Sequence, residues 1–191
     1  MAAAPTRPDR LYFTGIDEAD ELIARDPLAL LIGFALDQQV PVQTAFSGPV
    51  KLQQRLGRLD AAEIAGMESD RLEEAFREKP AVHRFPGTMA TRVQELCRAI
   101  VSDYAGDASR LWTEAEDGSD LRRRIEALPG FGAMKVTALG SVLAKRFGVE
   151  AARELVPNHP TLGDVDSNEA RERYQAAKRA YKASLRAGQC D

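Results

Sequence analysis

Two amphipathic stretches separated by only five residues, Leu128-Pro129-Gly130-Phe131-Gly132, constrain this chain more than any other feature. Upstream, Leu121, Ile125 and Leu128 recur at three- and four-residue steps; downstream, Val136, Leu139, Val142, Leu143 and Phe147 do the same. Both spacings put apolar side chains along one face of an α-helix, so two helices fold back on each other over a short hairpin. Pro129 stops the first helix, and Gly130 and Gly132 permit backbone angles and a closeness of approach that a side chain forbids. The second helix opens with unpaired N–H groups, the positive end of its dipole and Lys135 in its first turn, so an anion can dock there. A tight turn that binds nothing would show the same spacing.

Leu128-Pro129-Gly130-Phe131-Gly132 followed by Thr137-Ala138 resembles the helix-hairpin-helix of the HhH-GPD superfamily of base-excision DNA glycosylases. The resemblance covers residues 17–150 well and the remainder weakly. It implies an all-α, endonuclease III-like bundle, two small helical lobes around a cleft, with the hairpin holding a backbone phosphate of double-stranded DNA. Three units are expected: an N-terminal arm (1–16), the helical domain (17–150), and a loop with a C-terminal helix packing on that domain (151–191).

Helical spacing and capping signals predict the remaining elements. Residues 1–15, with Pro5, Pro8 and Gly15, form a loose arm whose Leu11-Tyr12-Phe13 packs onto the body. A short helix over 17–25 is followed by Asp26 as a cap and Pro27 at the first position of a second helix, 28–38. That second helix is apolar nearly all round and is expected at the centre of the core. A helix over 41–56 is expected to kink or break at Ser47-Gly48-Pro49. Short helices capped by Asp60 and Asp70 come next, then a proline-rich loop containing His83, Arg84 and Phe85, and a long helix over 88–104. A last helix over 168–187 turns Ala170, Tyr174, Ala177, Tyr181 and Leu185 inward and carries Arg171, Lys178, Lys182 and Arg186 on another face. Trp112 reads as a core residue, and Arg122-Arg123-Arg124 spreads three guanidinium groups around the first hairpin helix.

The resemblance also assigns site residues. In the family, a Gln after the central helix enters the gap left by an extruded base, and on that match Gln39 is the wedge, with Gln38 beside it. A planar side chain with both donor and acceptor suits that task, while helix capping is the plain alternative. The full DNA-contacting set is Gln38, Gln39, Leu128, Gly130, Phe131, Gly132 and Lys135. Val165-Asp166-Ser167 resembles the segment holding the family's catalytic carboxylate, so Asp166 takes that role; it equally fits a cap, with Glu169 completing a capping box. Asp37 is the reserve carboxylate. The connection before Asp166 is about a dozen residues longer than the family usual. Counted from Gly132, the amine of strand-cleaving relatives falls at Met134, and Lys135 lies about 100° further round the helix. Lys135 is therefore read as a phosphate contact, and strand cleavage is not expected.

Composition bounds these readings. The chain of 191 residues has eight basic against fourteen acidic residues in 1–78, eleven against eight in 79–148, and seven against seven in 149–191. The hairpin lies in the only segment with a positive balance, as expected of a face that meets phosphates, while the net charge of −3 argues against indiscriminate nucleic-acid binding. No apolar run approaches a membrane span, and residues 1–5 are too short and uncharged for a signal peptide, so the expected address is the cytoplasm. Cys97 and Cys190 are too few for the four-thiolate iron–sulfur cluster of some relatives, and His83 and His159 have no zinc-ligand spacing; no cofactor and no metal are expected. The function expected is hydrolysis of the N-glycosidic bond of a damaged or mispaired base, without strand cleavage. The alternative is a non-catalytic helix-hairpin-helix DNA-binding or damage-sensing protein.

Overall fold

The computed structural model describes residues 7–187 and is all-helical, with no strand among them. The helices are α1 (Asp17–Arg25), α2 (Pro27–Leu36), α3 (Val42–Leu56), α4 (Ala61–Gly66), α5 (Ser69–Arg77), α6 (Pro86–Tyr104), α7 (Arg110–Thr113), α8 (Gly118–Glu126), α9 (Ala133–Phe147) and α10 (Asn168–Ala187). Short 3-10 turns, Glu150–Leu155 and Leu162–Asp164, lie between α9 and α10.

Asp26 starts α2 by accepting the amides of Leu28 at 2.9 Å and Ala29 at 3.2 Å, with Pro27 at the position where a missing N–H costs nothing. Every residue of α2 after Pro27 is buried, because a helix apolar on all sides is stable only when other elements surround it. Those elements are α1, α3 and α6, while α4 and α5 pack in turn on α6. The second group is α7, α8 and α9, with both 3-10 turns laid along α9. One continuous apolar core runs through both groups, and Trp112 packs in it with its ring centroid 6.4 Å from that of Phe147.

Several expectations are corrected. From Arg10 onward the N-terminal segment is not loose, since Asp20, 2% exposed, accepts the amides of Phe13, Thr14 and Gly15; Leu11 and Phe13 are fully buried, packing onto the body as expected. Residues 1–6 lie outside the described residues. Helix α3 runs unbroken through Pro49, since its buried face packs on α1 and α2 and tertiary burial outweighs one lost helical bond. Asp70 does not cap α5; the N-cap is Glu68, and Asp70 stands inside the first turn, where the dipole still favours a carboxylate.

Helix α10 departs most. Ala170 is buried and Tyr174 half-buried, but Ala177 is exposed and Tyr181 is 65% exposed. The inward-facing packing stops after Tyr174, so the stripe beyond it removes too little surface from water to hold the rest of the helix down. The side chains of Lys182, Leu185 and Arg186, and all of Cys190, lie outside the described set.

Candidate functional site

The hairpin between α8 and α9 closes with the Phe131 amide on the Leu128 carbonyl at 3.1 Å. Gly130 sits at φ +78°, a region that L side chains rarely adopt. A Cβ there would also stand 3.1 Å from Cδ and Nε of Arg92 on α6. Gly132 is different. Its φ of −94° suits any residue, and a Cβ on it would meet nothing within 4 Å. The fold itself makes no demand for glycine at 132; what a side chain would fill is the open space in front of the α9 N-terminus. No side chain caps that terminus, and the amides of Gly132, Ala133 and Met134 meet no acceptor among the described residues.

Leu128 and Phe131 are 3% and 4% exposed, so both anchor the hairpin in the core rather than facing outward, and the Leu128 amide and carbonyl are taken by Ile125 and Phe131. Lys135 does not extend from the hairpin as a free surface charge. Its Nζ lies 3.5 Å from the Ala35 carbonyl at the end of α2 and 5.1 Å from the Phe131 ring centroid. Burial, followed by the nearby Arg92 charge, lowers its pKa to about 8, opposed only by Asp37.

The chain leaves α2 through Asp37, Gln38 and Gln39. Gln39 is exposed and left-handed at φ +56°, a strained state for a residue with a Cβ. Gln38 is occupied: its side-chain oxygen accepts from the Arg92 guanidinium, and its carbonyl oxygen lies 3.0 Å from His83 Nε2. His83, 2% exposed, also accepts the Phe85 amide at Nδ1 across 3.1 Å, which makes Nε2 the donor to Gln38. Burial pushes the His83 pKa down, and the ring stays neutral as this pairing requires. Arg92 therefore touches both the turn at Gln38 and the hairpin at Gly130, bringing the two sequence motifs onto one face.

Beside this face lies a cavity of about 500 Å³ between the two groups of helices. Phe34 and Asp37 supply its α2 wall, Met134 and Lys135 the α9 wall, and Tyr174 and Lys178 of α10 the third side. The loop over His159, Pro160 and Thr161 completes it. That loop approaches closely because Gly163 packs against the α9 backbone, where a Cβ would stand 2.5 Å from the Ser141 carbonyl oxygen. Asp37 is close enough to lower the acidity of Tyr174, whose pKa is raised by burial first and by Asp37 and Asp164 after it.

Asp166 is exposed between the second 3-10 turn and α10 and is not part of the cavity wall. Its neighbour Asp164 is held by Lys145 at 2.6 Å and by the Thr161 amide at 2.8 Å. Among the hairpin arginines, Arg123 and Arg124 both bind Asp120, and Arg124 also donates to the Glu114 carbonyl at 3.0 Å, while Arg122 is exposed. The meeting of Arg92, Lys178 and the loop at His159 has no signal in the sequence, because it depends on packing between segments distant in the chain. Among the described residues no group of three metal-ligating side chains could hold a metal ion, and no helix is long and apolar enough to cross a membrane. No protein-family model, no curated protein and no solved structure matches the chain.

Proposed function

We propose that this protein is a base-excision DNA glycosylase, hydrolysing the N-glycosidic bond of a damaged or mispaired base in double-stranded DNA. The observation that carries the reading is the bridge made by Arg92. Through it the open amides at the head of α9, the left-handed Gln39 and a cavity holding a carboxylate share one face.

On this reading the amides of Gly132, Ala133 and Met134 receive a backbone phosphate, and the absent side chain at Gly132 leaves room for the strand. Gln39 enters the base stack where a nucleotide has been everted, and its strain is the cost of projecting from the turn. The everted base occupies the cavity. Cleavage builds positive charge on the sugar, which a carboxylate stabilises while water attacks C1′. We assign that carboxylate to Asp37, the one that lines the cavity, with Asp166 as second candidate.

A second reading rests on Lys135. An amine at the cavity wall with a pKa near 8 has an appreciable neutral fraction and can attack C1′ in place of water, forming a Schiff base after the base departs. The test uses duplexes carrying uracil, hypoxanthine, an oxidised guanine or an alkylated purine. Alkali-dependent breaks at the lesion show hydrolysis; alkali-independent breaks and borohydride-trapped adducts show amine attack. Salt-dependent DNA binding with no break in any arm identifies a non-catalytic binder instead.

A further inference from the structure

The charges lining the cavity bear on which base it accepts. Two lysines stand in the wall, Lys135 from α9 and Lys178 from α10, and Arg92 is near enough to act on Lys135. Among the described residues Asp37 is the single carboxylate in the wall, and its field already falls on Lys135. An ammonium offers three donors and no acceptor, so lysines suit a ligand rich in carbonyl oxygens. The aromatic surface points the same way. A cationic base is attracted by an electron-rich ring face, but the Tyr174 ring carries the Lys178 Nζ at 6.0 Å from its centroid. A base with a fixed positive charge would meet that ammonium where a cation-binding pocket would present a bare ring. Thr137 adds a hydroxyl that donates or accepts and so does not discriminate, while the Thr161 hydroxyl is taken up by Asp164 and the Gly163 amide.

We propose that the cavity selects a neutral, carbonyl-rich base, one altered by deamination or oxidation, over a purine made cationic by alkylation. This rests on the glycosylase reading above, and it adds that Lys178 on α10 sets the preference. The chemistry makes the proposal exacting: a cationic purine is the better leaving group, so a cavity indifferent to charge would release it faster.

The test measures single-turnover excision from four duplexes that differ at one nucleotide, uracil, hypoxanthine, 8-oxoguanine and 7-methylguanine, with the spontaneous rate subtracted from each. The expected result is that at least one neutral base exceeds 7-methylguanine by about tenfold or more, and that Lys178→Glu reduces this ratio by about tenfold. Lys178 is exposed on its helix, so circular dichroism should show the variant folded. Preferential excision of 7-methylguanine, or an unchanged ratio in Lys178→Glu, overturns the selectivity while leaving the glycosylase reading standing. Excision of none of the four by wild-type protein that still binds duplex overturns both.

Discussion

His83 Nε2 lies 3.0 Å from the carbonyl oxygen of Gln38, and its Nδ1 accepts the amide of Phe85 at 3.1 Å, so one buried neutral imidazole joins the turn after α2 to the loop before α6. Protonation at Nδ1 removes the acceptor for Phe85. Burial holds the folded pKa below the ordinary value of 6.5, with the hydrogen bond to Gln38 opposing it and Arg84 and Arg92 reinforcing it. The unfolded chain therefore binds the proton first as pH falls. Stability from this contact is complete above pH 6.5 and is lost progressively below it, down through the folded pKa. Urea denaturation from pH 5 to 8 should show an acid-side loss that His83→Gln abolishes; an identical slope in the variant would assign the loss to other groups.

Replacing Gly132 separates fold from ligand. Aspartate is a better N-cap than glycine, and the space at 132 is open, so Gly132→Asp should raise stability by about 0.2–0.5 kcal/mol. The same carboxylate stands where a phosphate would dock, so duplex affinity should fall about tenfold or more at low salt. Thermal melts and fluorescence anisotropy on one preparation decide it, and unchanged affinity would remove the α9 terminus from the interface.

Lys135→Met should also divide stability from function. The folded pKa of Lys135, about 8, lies below the ordinary 10.5, so the unfolded state binds more protons between those values and wild-type stability rises with pH across that window. Below pH 8 the cost of burying the ammonium is fully present. We expect the variant to melt about 2–4 °C higher at pH 7, with the gap closing toward pH 10.5, and to lose duplex affinity. A variant less stable at pH 7 would show that the amine's contact with Ala35 outweighs its desolvation.

Asp37→Asn and Asp166→Asn test the choice of carboxylate. If Asp37 stabilises the charge that develops on the sugar, its amide should lower single-turnover excision about 10²–10³-fold with duplex affinity kept or increased. Asp166→Asn, altering a side chain outside the cavity wall, should change the rate less than about threefold. The reverse pattern would move the chemistry to the start of α10.

The helical elements were legible from local signals. Asp17–Arg25 and Ala133–Phe147 carry the bounds their apolar spacing implies, and Asp26 with Pro27 announces the start of α2, because capping and helical period act within a few residues along the chain. The exposure of Gly132 was not in its identity: glycine is compatible with strain, close packing or open space, and only the surroundings distinguish these. Likewise the apolar period of α10 does not reveal whether a surface exists to receive it, and Tyr181 finds none. The cavity was beyond sequence reasoning for the same reason. Asp37, Lys135, Thr161 and Lys178 belong to four segments, and what each charge does depends on distances and desolvation set by how those segments pack. Local sequence determined where this chain is helical and where its helices stop; which side chains face one another across the cavity, and with what acidity, was decided only by tertiary packing.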